Sequence, residues 1–187
     1  MNEDLKDIIV IDDVVNPQYA DKIENDIFYD RQISLFFNHD VAMGRRDKRI
    51  SDQGYGFGIA LDHHIFSPLL FEAAEKAGPG YYVNGIIETR VFITLPNPNY
   101  DGKPGLPHID LEAPHKVCLY YVNDSDGDTC FFDGPEGEIV DKVKPKKNRA
   151  VIFPGELYHA PYWPTTNPRA IINMVWVGDS KLIVNKK

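Results

Sequence analysis

The stretch LPHIDLEAPHK, Leu106 to Lys116, gathers two of the chain's six histidines with two acids and two prolines. His108 and Asp110 stand two residues apart. On a strand, that spacing projects both side chains to one face, within reach of one ion. An imidazole beside a carboxylate suits a borderline divalent metal such as Fe(II). The pair carries little weight alone. Six histidines and 28 acids among 187 residues produce about one such pair by chance. A facial triad needs a second imidazole from a distant strand and leaves three coordination positions for substrate and oxygen. His159 is the candidate, placed in AVIFPGELYHAPYW where a β-run meets a turn and a second short run. Ten residues later, Arg169 opens the apolar run RAIINMVWV. A guanidinium pointing inward from such a strand is costly unless it meets an anion, and a carboxylate satisfies it in bidentate fashion.

The elements that must hold these residues are mostly short strands. From Ile86 onward, β-branched and aromatic runs alternate with Pro, Gly, Asn and Asp. Strands are expected near 86–95, 106–110, 116–122, 129–133, 137–143, 149–153, 157–162 and 169–177, the pattern of a sandwich or jelly roll. A jelly roll can bring residues 108–110 and 159 side by side across the intervening sequence. Upstream, Ile8–Ile11 reads as a strand. Residues 17–28 read as a helix with Asn16 as N-cap and Pro17 in the first turn. A second helix is expected over 64–77, stopped by Gly78-Pro79-Gly80. Residues 44–58, polar and glycine-rich, read as a long loop. The expected class is mostly β (α+β), with N-terminal helices packed on one face of the β-domain.

The chain resembles the iron(II)/2-oxoglutarate-dependent dioxygenases, in particular the prolyl 4-hydroxylase-like branch. The pieces that carry the resemblance stand in family order between about 86 and 178. They are PHID (107–110), LYYVN (119–123), GDTCFF (127–132), RAVIFPGELYHA (149–160) and RAIINMVWV (169–177). The resemblance implies a double-stranded β-helix, cupin-like, within a single domain of residues 1–187. Residues 1–85 would supply helical support and a lid, and 86–178 the core. It implies His108, Asp110 and His159 as iron ligands. It further implies Arg169 and Tyr121 as partners of the distal 2-oxoglutarate carboxylate, with Tyr120 facing the other way. Asn173 shares the Arg169 face by strand alternation and is a further pocket candidate. The implied cofactors are Fe(II), 2-oxoglutarate and O2, with ascorbate as an optional reductant. The implied activity is hydroxylation of a substrate C–H bond, with release of succinate and CO2. The branch points to a peptidyl proline; other protein or small-molecule substrates stay open. Gly127-Asp128-Thr129 stands where the family commonly has Gly-Gly-Thr, and Arg90, Thr94 and Asn97 are the polar residues available where another cosubstrate-contacting tyrosine is common.

Two rival readings keep the jelly roll. One is a catalytically inactive binding module. The other is a cupin-like metalloenzyme that does not use 2-oxoglutarate, which leaves Arg169 without a purpose. A net charge of −8 argues against general nucleic-acid binding. No apolar run spans a bilayer and MNEDLKD is no signal peptide, so a cytoplasmic protein without a membrane partner is expected. The oligomeric state is left open. Cys118 and Cys130 read as reduced thiols on adjacent strands. His115 reads as a strand-start or surface residue, His63-His64 as a helix cap or approach, and His39-Asp40 as a loop. Asn123–Asp128 fails calcium-loop spacing and reads as a tight turn. The basic run Lys144–Arg149 reads as a turn with solvated charges. Arg45–Arg49 reads as a solvated loop, with a lid over the substrate opening that binds an anionic or acidic substrate as the alternative, and Tyr55, Phe57, Tyr162 and Trp163 read equally as packing residues or as aromatic walls.

Overall fold

The computed structural model describes residues 8–30, 33–38, 56–61 (backbone), 65–97 and 100–178. The residues around His39, His63 and Arg45–Arg49, and Tyr55, lie outside these. Ten strands and two helices occur among the described residues. β1 is Ile9–Ile11, α1 Pro17–Phe28, β2 Phe36–Asn38, β3 Gly56–Leu61 and α2 Ser67–Ala77. β4 is Gly85–Thr94, β5 Lys116–Tyr121, β6 Thr129–Phe132 and β7 Ile139–Val143. β8 is Arg149–Pro154, β9 Tyr158–Pro161 and β10 Arg169–Val177. The large sheet runs β1-β8-β5-β10-β4-β3-β2, and the small sheet β7-β6-β9. All strand pairings are antiparallel.

Strand alternation divides the large sheet into two faces with different duties. Cys118, Tyr120, Ile152, Ile172, Met174 and Trp176 face the helices, where Ala20, Ile23 and Ile27 of α1 and Leu69, Leu70 and Ala73 of α2 are buried. Val117, Leu119, Tyr121, Val151, Phe153 and Ile171 face the small sheet and pack with Phe131 and Val143. The chemistry-bearing residues Arg90, Arg169 and Asn173 have the parity of this second face.

Local signals explain both helices. The Asn16 side chain accepts from Tyr19 N at 2.9 Å, which caps α1, and Pro17 occupies the first turn. α2 ends at Gly78, whose φ of 97° suits glycine.

Several expectations are corrected. Residues 106–110 do not form a strand; only His108 makes an isolated β-bridge, because prolines at 104, 107 and 114 remove ladder donors. The 44–58 loop yields a strand from Gly56, recruited by pairing with β4. β2 has no counterpart in the sequence reading. Cys118 and Cys130 lie in different sheets and are both free. The Lys144–Arg149 charges are ion-paired as well as exposed. Arg149 bonds Asp12 at 2.7 Å, and Lys147 bonds Asp21 and Glu24 at 2.5 Å each.

Candidate metal and cosubstrate site

Two backbone hydrogen bonds close the site. His108 N donates to His159 O at 3.0 Å, and His159 N donates back to His108 O at 2.9 Å. This bridge adds His108 to the edge of the small sheet beside β9 and sets the two imidazole centroids 4.6 Å apart. Each Nδ1 lies close to the carbonyl two residues before it, Leu106 O at 3.1 Å and Leu157 O at 3.2 Å. With Nδ1–H donating there, the Nε2 lone pair of each ring is left for a metal. Asp110, its side chain 4% exposed, brings Oδ2 to 3.9 Å from His159 Nε2. One ligand atom from each of His108, Asp110 and His159 falls within a group no wider than 4.8 Å.

The electrostatics prepare the triad for a cation. Burial alone would raise the Asp110 carboxyl. The imidazoles of His159 and His108, the Asn173 amide and the Arg90 charge outweigh it and hold Asp110 below the usual carboxylate range. Burial, then the charge of His108, push His159 below the ordinary imidazole range. An ionised carboxylate and a neutral imidazole are the protonation states that bind metal. Phe153 packs edge-on to His159 at 4.8 Å and to Phe131 at 5.0 Å, so the ring sits on an apolar floor. Asn173 Nδ2 donates to both Asp110 oxygens at 3.4 and 3.3 Å, which fixes the carboxylate from behind.

Arg169 lies on the Asn173 face of β10, at its N-terminal end, and is 4% exposed. Its Nη2 donates to Thr129 Oγ1 at 2.7 Å, and the buried Tyr121 hydroxyl donates to the same oxygen at 2.7 Å. The Tyr121 ring centre is 5.8 Å from the guanidinium carbon. Arg169 Nε is buried with no hydrogen-bond partner among the described residues. Tyr120 points to the other face and bonds Asn148.

Thr129 and Gly127 belong to this site and carry no role in the sequence reading, although both lie in the GDTCFF run that marks the resemblance. A Cβ on Gly127 would meet Tyr162 O at 2.7 Å and Arg169 Cδ at 3.1 Å, so glycine lets the turn press against the arginine. Asp126 locks that turn by accepting from Thr165 N at 3.0 Å and Thr166 N at 3.2 Å. Asp126 therefore serves the turn, while Asp124 accepts from Lys147 N at 2.8 Å. His115 lies outside the metal group, with Nδ1 2.7 Å from Ala113 O. Tyr162 packs on the outer face of the small sheet against Tyr100, and Trp163 is buried.

Comparison with solved structures identifies the fold. A Trichoplax adhaerens prolyl hydroxylase in complex with a hypoxia-inducible-factor peptide fragment superposes at TM-score 0.62. It shares 15% identity, over 90% of this chain and 82% of that one. The alpha-ketoglutarate-dependent carbocyclase SnoK from nogalamycin biosynthesis gives 0.64 at 12% identity, over 94% and 83%. HygX from Streptomyces hygroscopicus, with nickel, 2-oxoglutarate and hygromycin B bound, gives 0.60 at 12% identity, over 94% and 86%. The chain has the fold of the iron- and 2-oxoglutarate-dependent oxygenases. In that double-stranded β-helix the large sheet carries Arg169, Tyr121 and Asn173, and the small sheet carries His159 with His108 at its edge. No protein-family model and no curated protein matches the sequence. No helix among the described residues is long and apolar enough to cross a membrane.

Proposed function

We propose that the protein is an Fe(II)- and 2-oxoglutarate-dependent oxygenase that hydroxylates a C–H bond of its substrate. The observation that carries this reading is the buried guanidinium of Arg169. It has no carboxylate partner among the described ion pairs, keeps an unused Nε, and shares a sheet face with the residue that steadies Asp110. A buried cation of this kind calls for an anion, and the distal carboxylate of 2-oxoglutarate fits it.

His108, Asp110 and His159 would hold the iron, and two nitrogens with one carboxylate suit Fe(II). When bound, iron with 2-oxoglutarate and O2 supplies oxidative decarboxylation to succinate and CO2, coupled to substrate hydroxylation. The chain's own residues do the rest. Leu106 O and Leu157 O fix the imidazole tautomers, and Asn173 keeps Asp110 in place. Thr129 orients the Arg169 guanidinium, and Tyr121 holds Thr129. Phe131 and Phe153 exclude water beneath His159.

Within this class we favour a protein or peptidyl-prolyl substrate, supported by the sequence pieces of the prolyl 4-hydroxylase-like branch. The test is anaerobic reconstitution with Fe(II), then succinate detection with and without 2-oxoglutarate, followed by a screen of proline-containing peptides. Wild-type protein should form succinate only with both additions, and His108→Ala and His159→Ala should form none. Oxygen uptake without succinate would favour the cupin-like alternative, and no metal-dependent turnover the binding module.

A further inference from the structure

Beside the proposed metal site lie two polar atoms that this function leaves unassigned. Asn173 points Nδ2 at Asp110, and because a carboxylate only accepts, the amide orientation is fixed. Its Oδ1 is then a buried acceptor without a partner among the described residues. Arg90 is the cross-strand partner of Asn173, on the same face of the large sheet. One terminal nitrogen, Nη2, binds Glu88, two residues away on the same face. Its Nε is a buried donor without a partner among the described residues. Paired positions on neighbouring strands therefore hold one unused donor and one unused acceptor.

Their place in the site tells what they face. β5 and β4 flank β10 on opposite sides. Tyr121, which bonds Thr129, stands on the β5 side of β10, Arg169 is on β10 itself, and Arg90 stands on the β4 side of Asn173. Arg90 is near enough to Asp110 for its charge to act on that carboxylate. Arg90 and Asn173 thus stand beside the metal ligand on the same sheet face as Arg169 and its partner Thr94, displaced along β10 and β4 from the cosubstrate's carboxylate seat.

Charge narrows the occupant. Metal and Arg169 together balance Asp110 and a cosubstrate dianion, and Glu88 balances Arg90. A net anion would find no uncompensated positive charge, whereas a neutral group with one acceptor and one donor satisfies both orphans at once.

We infer that Arg90 and Asn173 form a substrate-orienting pair, Arg90 Nε–H donating to a substrate oxygen and Asn173 Oδ1 accepting from a substrate N–H or O–H, selective for a neutral substrate end. This rests on the oxygenase reading above.

The test uses full-length protein loaded with Mn(II) and 2-oxoglutarate, and proton relaxation of two small probes. N-acetylalaninamide is neutral with donor and acceptor; N-acetylalanine carries a carboxylate. The neutral probe should be relaxed by the bound Mn(II) more strongly than the anionic one. Arg90→Met should weaken its binding roughly tenfold, the scale of one lost charge-assisted hydrogen bond. Arg90→Lys keeps the charge beside Glu88 but lacks the Nε donor, so it should not restore binding; a purely structural arginine would be rescued. Equal relaxation in wild type and Arg90→Met, rescue by lysine, or preference for the anionic probe overturns the inference. 2-Oxoglutarate binding is measured in the same samples. Wild-type protein that fails to bind it sinks the oxygenase reading together with this one, whereas binding it without relaxing either probe sinks this inference alone.

Discussion

At the residue scale the proposed function turns on Arg169, whose buried guanidinium has no carboxylate partner among the described residues. Arg169→Ala should leave metal binding in place and remove a charge-assisted contact worth about 1.5–3 kcal/mol. Calorimetry should then show 2-oxoglutarate affinity reduced roughly ten- to a hundredfold. Arg169→Lys should recover only part of it, since an ammonium cannot reproduce a planar fork held by Thr129. pH acts through the triad in a definite direction. His159 is depressed by burial and by His108, so the unfolded chain takes up a proton in a range where the folded one does not. Asp110 is depressed by its imidazole neighbours against the effect of burial, and its contribution is lost as pH falls through its folded value. Both signs agree. Denaturant titrations of metal-free protein should show stability falling as pH drops below the usual imidazole range. Unchanged stability down to the carboxylate range would contradict these protonation states.

At the scale of elements, the turn between β5 and β6 packs against Arg169, the proposed cosubstrate anchor. Asp126 is held at about 2 by its bonds to Thr165 and Thr166, which outweigh the opposing effect of burial. It therefore stays ionised at neutral pH and ties this turn to the segment leading into β10. Asp126→Ala should free the Thr165 and Thr166 amides and loosen the approach to Arg169. The expected cost is about 1–2 kcal/mol of stability, with a rise in the 2-oxoglutarate dissociation constant. Gly127→Ala should lower both stability and cosubstrate affinity, because the new methyl collides with the Tyr162 backbone oxygen and crowds Arg169 Cδ. Chemical denaturation and ligand titration of the two variants separate these outcomes.

For the whole molecule, Asn148 joins the N-terminal segment to the β-helix. Its φ is 63°, a left-handed conformation that asparagine tolerates. Its Oδ1 accepts from Val15 N at 3.0 Å and Tyr120 Oη at 3.2 Å, and its Nδ2 donates to Val15 O at 2.7 Å. Its backbone oxygen accepts from Val14 N at 3.1 Å. Asn148→Ala should cost about 2–3 kcal/mol by orphaning buried groups in a strained turn. It should do so without changing metal affinity at temperatures where the protein stays folded, as thermal melts and metal titration would show. β1 also depends on this junction, since it occupies the edge of the large sheet beside β8.

The sequence by itself determined the local chemistry: the Asn16 cap, the β-runs from 86 to 177 other than 106–110, the histidine–acid spacing and the arginine ten residues after His159. These are legible because capping, strand alternation and motif spacing act over a few residues. Thr129, Asn148 and the bridge that joins His108 to His159 were decided by tertiary structure alone. Each acts through contacts 28 to 133 residues apart in the chain or across two sheets. The lesson of residues 106–110 is the same: prolines deny that segment a ladder, and only the β9 edge gives it an extended place. β3 and β2 were hidden for the opposite reason: the glycine-rich β3 becomes a strand only against the edge of β4, and the three-residue β2 only against β3.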